Sequence, residues 1–181
     1  GESYGGTRVA GLAGELQSRQ WMYLNGVIMV SPADYLVFTS DVPVSTGTNM
    51  PYFTAAAWYH KMLPDALQSK DLDDILPEAE AFALNTLMPA LAKGGFISET
   101  EKNQVAEKMA YYSGLSKKSI LQNNLDVSTS FFWKELLRDN GKTIGRLDSR
   151  YLGIDKNESG ARPDYNAELT SWLHSFTPAI N

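Results

Sequence analysis

The chain contains no cysteine and only two histidines, His60 and His174. Without cysteine it can form no disulfide and no thiolate metal site, and it cannot use a cysteine nucleophile. Two histidines far apart in sequence, with no carboxylate cluster beside them, do not match the ligand pattern of a zinc site. We therefore expect neither a metal ion nor another cofactor.

The chain also lacks a surplus of basic residues and any long apolar run. Its formal net charge of -5 at pH 7 has the wrong sign for binding a phosphate backbone or an anionic membrane surface. No stretch reaches the roughly 18 apolar residues that a membrane-spanning helix needs. We expect neither nucleic acid nor a membrane as a partner. Hydrophobic residues still make up 43% of the chain, which is enough for a substantial core.

A Gly-x-Ser-x-Gly motif stands at the start of the chain, Gly1-Glu2-Ser3-Tyr4-Gly5. In a nucleophile elbow the serine occupies a strained turn between a strand and a helix, which projects its hydroxyl outward. Gly1 and Gly5 would keep side chains out of that turn, and the Tyr4 amide would help to bind an oxyanion. Because the motif is short, a glycine-rich tail with an ordinary serine is the alternative.

The residues after the motif predict a helix and then a buried strand. Apolar residues recur at helical spacing over residues 7–20. The run at 24–30 is short, apolar and β-branched, as in a strand covered on both faces of a parallel sheet. Residues 1–36 are therefore predicted to form part of a parallel sheet layer.

From about residue 40 onward the pattern predicts a mainly helical module. Residues 40–51 combine two prolines and a glycine with polar residues and predict a loop. Residues 53–62 predict a short aromatic helix, and a second helix is expected to begin at Pro77 and to bend or end at Pro89. Ser98 opens a capping box with Glu101, which predicts a helix over 98–112. Such a module, placed after a sheet strand, is typical of a cap over an active site.

Residues 1–8, Gly-Glu-Ser-Tyr-Gly-Gly-Thr-Arg, resemble the nucleophile segment of serine carboxypeptidases. Residues 24–28, 56–60 and 145–150 resemble the bacterial branch of that family. The resemblance implies an α/β-hydrolase fragment, with a partial parallel sheet unit followed by a mainly α-helical cap domain. It divides the chain into core with nucleophile elbow at 1–36, helical cap at 37–165, and the start of a segment that returns to the core at 166–181.

The resemblance also implies an activity and its residues. The substrate would be a peptide with a free C terminus, Ser3 the acyl-forming nucleophile and the Tyr4 amide an oxyanion donor. Glu2 would bind the terminal carboxylate of the peptide. Since two carboxylates repel, one of them must hold a proton, so binding should weaken as pH rises. Such an enzyme is expected to be secreted or periplasmic and to need no cofactor.

By the same resemblance the chain looks like the middle part of a longer enzyme. The aspartate and histidine of the triad would lie outside it, so the chain by itself is expected to be inactive. Unpaired sheet edges would make a homo-oligomer possible.

Alternatives to this assignment stay open. Ser3, Asp148 and His174 have the order of a triad, although Asp148 lies between Arg146 and Arg150 and favours a salt-bridge cluster. His60 is expected to be a packing residue. The same elbow would also serve an esterase or an acyltransferase, and the helical part could be a non-catalytic interaction module.

Overall fold

The computed structural model describes residues 1–32 and 42–180. These residues form two compact units, one within Gly1–Asp41 and the other within Val42–Asn181. The predicted boundary between residues 36 and 37 lies outside the described residues. Within the described ranges, no helix combines the length and the apolar character needed to cross a membrane.

In the first unit, helix α1 (Tyr4–Arg19) connects two short paired segments. Residues 1–3 run parallel to residues 28–30, with a bridge between Glu2 and Val30. The Val30 amide donates to the Gly1 carbonyl at 2.8 Å, and the Ser3 amide donates to the Val30 carbonyl at 3.1 Å. The helix predicted over 7–20 is confirmed and begins three residues earlier.

The buried strand predicted over 24–30 is wrong. Its pairing is limited to the bridge at Val30, and the segment is exposed, with Ile28 at 81%. A strand covered on both faces needs partners on both edges and a layer above and below it. Among the described residues of this unit, only residues 1–3 pair with it.

The predicted α/β-hydrolase fragment with a parallel sheet layer is likewise wrong. Helices make up 61% of the described residues. The one sheet among the described residues is an antiparallel pair, β1 (Thr143–Ile144) and β2 (Leu152–Gly153), in register 143 to 153 and 144 to 152. The apolar run at 24–30 indicated a sheet core, but the described residues provide no further strands to extend the parallel bridge.

The second unit is built from helices. Their bounds are α2 (Val42–Tyr59), α3 (Asp65–Gln68), α4 (Leu72–Phe82), α5 (Met88–Ala92), α6 (Glu99–Ser113), α7 (Lys117–Gln122), α8 (Thr129–Glu135) and α9 (Leu169–Ile180). Short 3-10 turns occupy Gly94–Phe96 and Arg138–Asn140. The helical character predicted for 53–62 and 98–112 is confirmed by α2 and α6.

The loop predicted over 40–51 is wrong where it is described, because α2 already begins at Val42 and contains Pro51. Gly47 permits close packing inside the helix rather than a turn. A Cβ added at Gly47 would lie 2.4 Å from Cγ and Cε of Met88 on α5. The glycine therefore allows two helices to approach closely, which a sequence pattern does not distinguish from a turn.

The structure also differs from the sequence prediction at two prolines. Pro77 lies inside α4, which begins at Leu72, and not at the start of a helix as predicted. Pro89 lies in the first turn of α5, and a π-helical turn, Ala83–Leu87, directly precedes that helix. Proline lacks the amide hydrogen for the usual i to i-4 bond, and a wider turn accommodates that loss.

Serine caps three of the helices in the second unit. The Ser98 hydroxyl accepts from the Glu101 amide at 3.2 Å, so the predicted cap is confirmed. Ser116 and Ser128 cap α7 and α8 in the same way. The Glu101 carboxylate accepts from Lys93 at 2.6 Å rather than reaching back to the cap.

The core of the second unit lies where α2, α4, α6 and α8 meet. Phe53 and Phe132 stack at its centre with ring centroids 4.1 Å apart. Both side chains are fully buried, as are Met50, Leu67, Ile75 and Met109. Burying such side chains contributes about 1.5–3 kcal/mol each, so packing is the main stabilising contribution in this helical unit.

Candidate functional site

Ser3 has a backbone conformation that is rare for a residue with a side chain. Its φ is 51° and its ψ is -123°, at the junction between the parallel bridge and α1. Residues other than glycine seldom adopt positive φ, and this conformation lies outside the small left-handed helical region. Conformations of this kind cost about 1–3 kcal/mol and cluster at functional sites. Ser3 is exposed to solvent.

The amino end of α1 presents one free amide beside Ser3. The Gly5 amide donates to the Glu2 carbonyl at 2.7 Å, and the Gly6 amide donates to the Ser3 carbonyl at 2.9 Å. Within the described part of the chain, nothing accepts from the Tyr4 amide. A free amide at the amino end of a 16-residue helix is a suitable donor to an oxyanion.

The glycines in and directly after the motif differ in whether the surrounding atoms leave room for a Cβ. A Cβ added at Gly1 would lie 2.1 Å from the Gly5 carbonyl oxygen, so Gly1 is sterically required. A Cβ at Gly5 would meet no described atom within 4 Å, whereas one at Gly6 would lie 2.4 Å from Cβ of Pro32. The steric role expected of Gly5 thus belongs to Gly6 in this unit, and only the contact with Pro32 reveals it.

The two remaining side chains of the motif point to solvent. Glu2 is exposed, and no described cation lies within ion-pair distance of it. The Tyr4 side chain is 54% exposed, and its ring lies 5.5 Å from the Arg8 guanidinium carbon. Both side chains are therefore open to a ligand, and neither contributes to a core.

In the alternative triad, Asp148 already has another partner and His174 is exposed to solvent. The Asp148 carboxylate accepts from the Arg150 guanidinium at 2.7 and 2.9 Å, as the salt-bridge interpretation predicts. These bonds hold the pKa of Asp148 at about 2. His174 is exposed on α9. His60 is a satisfied structural residue, since its Nε2 lies 2.6 Å from the Ser149 carbonyl oxygen.

The sequence did not single out a partly buried hydrogen-bond chain in the second unit. The Trp133 indole donates to the Tyr52 hydroxyl at 2.6 Å, and that hydroxyl lies 2.5 Å from Oγ of Ser149. Ser149 donates onward to the Gly145 carbonyl at 3.0 Å. Since an indole only donates and a carbonyl only accepts, Tyr52 must donate to Ser149. Burial raises the pKa of Tyr52, and the hydrogen bond that its oxygen accepts from Trp133 opposes that rise.

Glu168 is a second residue that the sequence did not single out. It is fully buried, and its Oε1 accepts from the backbone amides of Leu147 and Asp148, the latter at 2.8 Å. Among the described residues, its Oε2 has no hydrogen-bond partner. A buried carboxylate that accepts from backbone amides acts as a cap for the loop, and no local sequence pattern indicates that Glu168 is buried.

The described residues contain no group of three or more histidine, aspartate or glutamate side chains that could hold a metal ion. No protein-family model, curated protein or solved structure matches the chain. Among the described residues, the backbone geometry of Ser3 is the observation that bears most directly on a reaction.

Proposed function

We propose that the protein carrying this chain is a serine-type carboxypeptidase in which Ser3 is the nucleophile. One observation carries the proposal, the strained backbone of Ser3 at the amino end of α1. Strain of this size is retained where it positions a reacting group. The proposal rests on the local geometry of residues 1–5 and requires no parallel sheet.

In the proposed reaction, the Ser3 hydroxyl attacks the carbonyl carbon of the last peptide bond. The carbonyl oxygen becomes an oxyanion, which the free Tyr4 amide binds. The C–N bond then breaks, the last residue leaves as a free amino acid after its nitrogen gains a proton, and an acyl ester remains on Ser3. Water hydrolyses the ester. The serine proton must pass to a general base, a role that we assign to no described residue.

Glu2 supplies the proposed specificity for a terminal carboxylate. Its side chain is exposed next to Ser3 and free of ion pairs with the described cations. A carboxyl group and a carboxylate can share one proton in a hydrogen bond, which is stable only while one of them is protonated. Binding of this kind favours acidic pH. That the enzyme is exported and needs no cofactor is proposed from the resemblance to serine carboxypeptidases alone.

The first test of this proposal is covalent labelling. We expect a fluorophosphonate probe to label the protein that carries this chain, with the adduct on the peptide that contains Ser3. Labelling should disappear in Ser3→Ala and persist in Ser18→Ala, whose hydroxyl donates to the Gly14 carbonyl in α1. Labelling that survives Ser3→Ala would refute the nucleophile.

A second test separates the carboxypeptidase from the esterase and acyltransferase alternatives. A blocked dipeptide with a free carboxylate is compared with its C-terminal amide and with a simple ester. Turnover of the free acid alone supports the proposal. Equal turnover of acid and amide would remove the role of Glu2, while release from the ester alone would favour an esterase with the same nucleophile.

A further inference from the structure

The second unit contains an open cleft between α2, α9 and the loop that joins β1 to β2. Its volume is ≈ 470 Å³. Tyr52, Ala56 and Tyr59 line one wall, at helical spacing on one face of α2, and Trp172 from α9 lines another. Clefts of about 300–1,000 Å³ with aromatic walls are typical of small-molecule sites.

The loop contributes two arginines with different surroundings. Arg150 is already paired, because its guanidinium donates to Asp148 through Nε and a terminal nitrogen. Arg146 also lines the cleft and is exposed, and no described carboxylate lies within ion-pair distance of it. The cleft therefore presents one uncommitted guanidinium beside an aromatic wall.

The loop between β1 and β2 is held in place by the carboxylate of Glu168. Glu168 accepts from the amides of Leu147 and Asp148, directly after Arg146. Gly145 leaves room for that carboxylate, since a Cβ there would lie 2.4 Å from its Oε1. Because Glu168 is fully buried, it is not exposed to compete with a ligand in the open cleft.

We propose that this cleft binds an aromatic monocarboxylate, with Arg146 binding the carboxylate and Tyr59 and Trp172 packing against the ring. A guanidinium matches a carboxylate with two parallel hydrogen bonds. Tyr59 is 52% exposed and Trp172 is partly exposed, so both rings are accessible to a ligand. This proposal does not depend on Ser3 as a nucleophile, because it concerns the binding of a ligand and not its turnover.

The probe for this site is 3-phenylpropionate, and the signal is the tryptophan fluorescence of the protein. We expect saturable quenching that is lost in Trp172→Phe. Arg146→Gln should weaken binding by about tenfold or more, the effect of losing one charge-assisted interaction. The matched control is Arg162→Gln, an exposed arginine that does not line the cleft, and it should bind as the unaltered protein does. Circular dichroism verifies that each variant is folded.

Two further ligands test the two halves of the proposal. The uncharged 3-phenylpropionamide and the ring-free propionate should each bind at least about tenfold more weakly than 3-phenylpropionate. No saturable binding, equal binding of acid and amide, or unchanged binding in Arg146→Gln would overturn the proposal. Ser3→Ala should leave binding intact, so failure here and failure of the proposed peptidase are distinguishable.

Discussion

The Lys134 ammonium lies 2.5 Å from Oδ2 of Asp155, and the two side chains are only 3% and 5% exposed. Lys134 also donates to the Asn157 carbonyl, and Asp155 accepts from the Asp164 amide at 3.0 Å. The pair thereby ties the irregular segment after β2 to α8. Removing one partner of a buried ion pair leaves the other charge without compensation.

We therefore expect Lys134→Met to lower the free energy of unfolding by about 3–5 kcal/mol. The control is Lys117→Met, which breaks the 3.4 Å pair with Glu107 whose side chains are 40% and 77% exposed, and should cost less than about 1 kcal/mol. Urea unfolding measures both. Equal costs for the two variants would show that burial of the first pair has no energetic consequence.

The carboxyl group of Asp148 should titrate at an unusually low pH. Hydrogen bonds from Arg150 hold its pKa at about 2, below the ordinary value of 3.8. Since the folded-state pKa is the lower one, the stabilisation is complete above about pH 4 and is lost as pH falls toward 2. Carbon-detected NMR of the Asp148 carboxyl checks this, and in Arg150→Gln its titration should move up toward the ordinary value. A midpoint that does not move would contradict it.

Alanine substitutions at Gly5 and Gly6 should show which of these two glycines is sterically required beside Ser3. Gly6→Ala places a Cβ 2.4 Å from Pro32 and should cost about 1–3 kcal/mol through overpacking, with loss of Ser3 labelling. Gly5→Ala meets no described atom within 4 Å and should keep the labelling, since alanine favours a helix by about 1 kcal/mol over glycine. Loss of labelling in Gly5→Ala alone would show that Gly5 is the residue that the turn requires.

Replacement of Glu168 should show whether its acceptor role or its charge matters. Glu168→Ala leaves the Leu147 and Asp148 amides without their acceptor, at a cost of about 1–3 kcal/mol for each amide that stays buried. Glu168→Gln keeps an acceptor oxygen and replaces a carboxylate whose Oε2 has no partner among the described residues, so it should be much less destabilising. Thermal unfolding at neutral pH compares the two, and equal losses would mean that the charge itself is needed.

A substitution at Glu2 tests the proposed carboxylate recognition. If Glu2 shares a proton with the substrate, KM for a free-carboxylate peptide should rise with pH in the unaltered protein. In Glu2→Gln the amide donates to the carboxylate without needing that proton, so KM should become nearly independent of pH. Steady-state kinetics from acidic to neutral pH measure this. The same pH profile in both proteins would eliminate Glu2 from binding.

Local sequence signals predicted local structure well in this chain. The apolar periodicity after the motif corresponds to α1, and the Ser98 cap begins α6 as expected. Both signals depend on residues within one or two helical turns of each other, which is why they can be detected in the sequence. The strained conformation predicted for Ser3 by the motif, seen in its positive φ, likewise involves only residues close to it in sequence.

Glycine, proline and apolar runs were poorer guides because each has more than one structural use. Gly47 and Pro51 predicted a loop and lie in α2, where Gly47 allows Met88 to approach. The run at 24–30 predicted a buried strand and forms a single parallel bridge. Whether such a run becomes part of a sheet depends on partners distant in sequence, and its own pattern does not contain that information.

The sequence by itself determined the absence of cysteine chemistry, the serine motif and most of the helical character of the second unit. Only the tertiary structure decided which glycine is crowded, that Lys134 and Asp155 form a buried pair, and that Glu168 supports the loop carrying Arg146. The physical reason is distance along the chain. Helix periodicity and capping act over a few residues, whereas these contacts join residues 20 or more positions apart and form only when the helices pack.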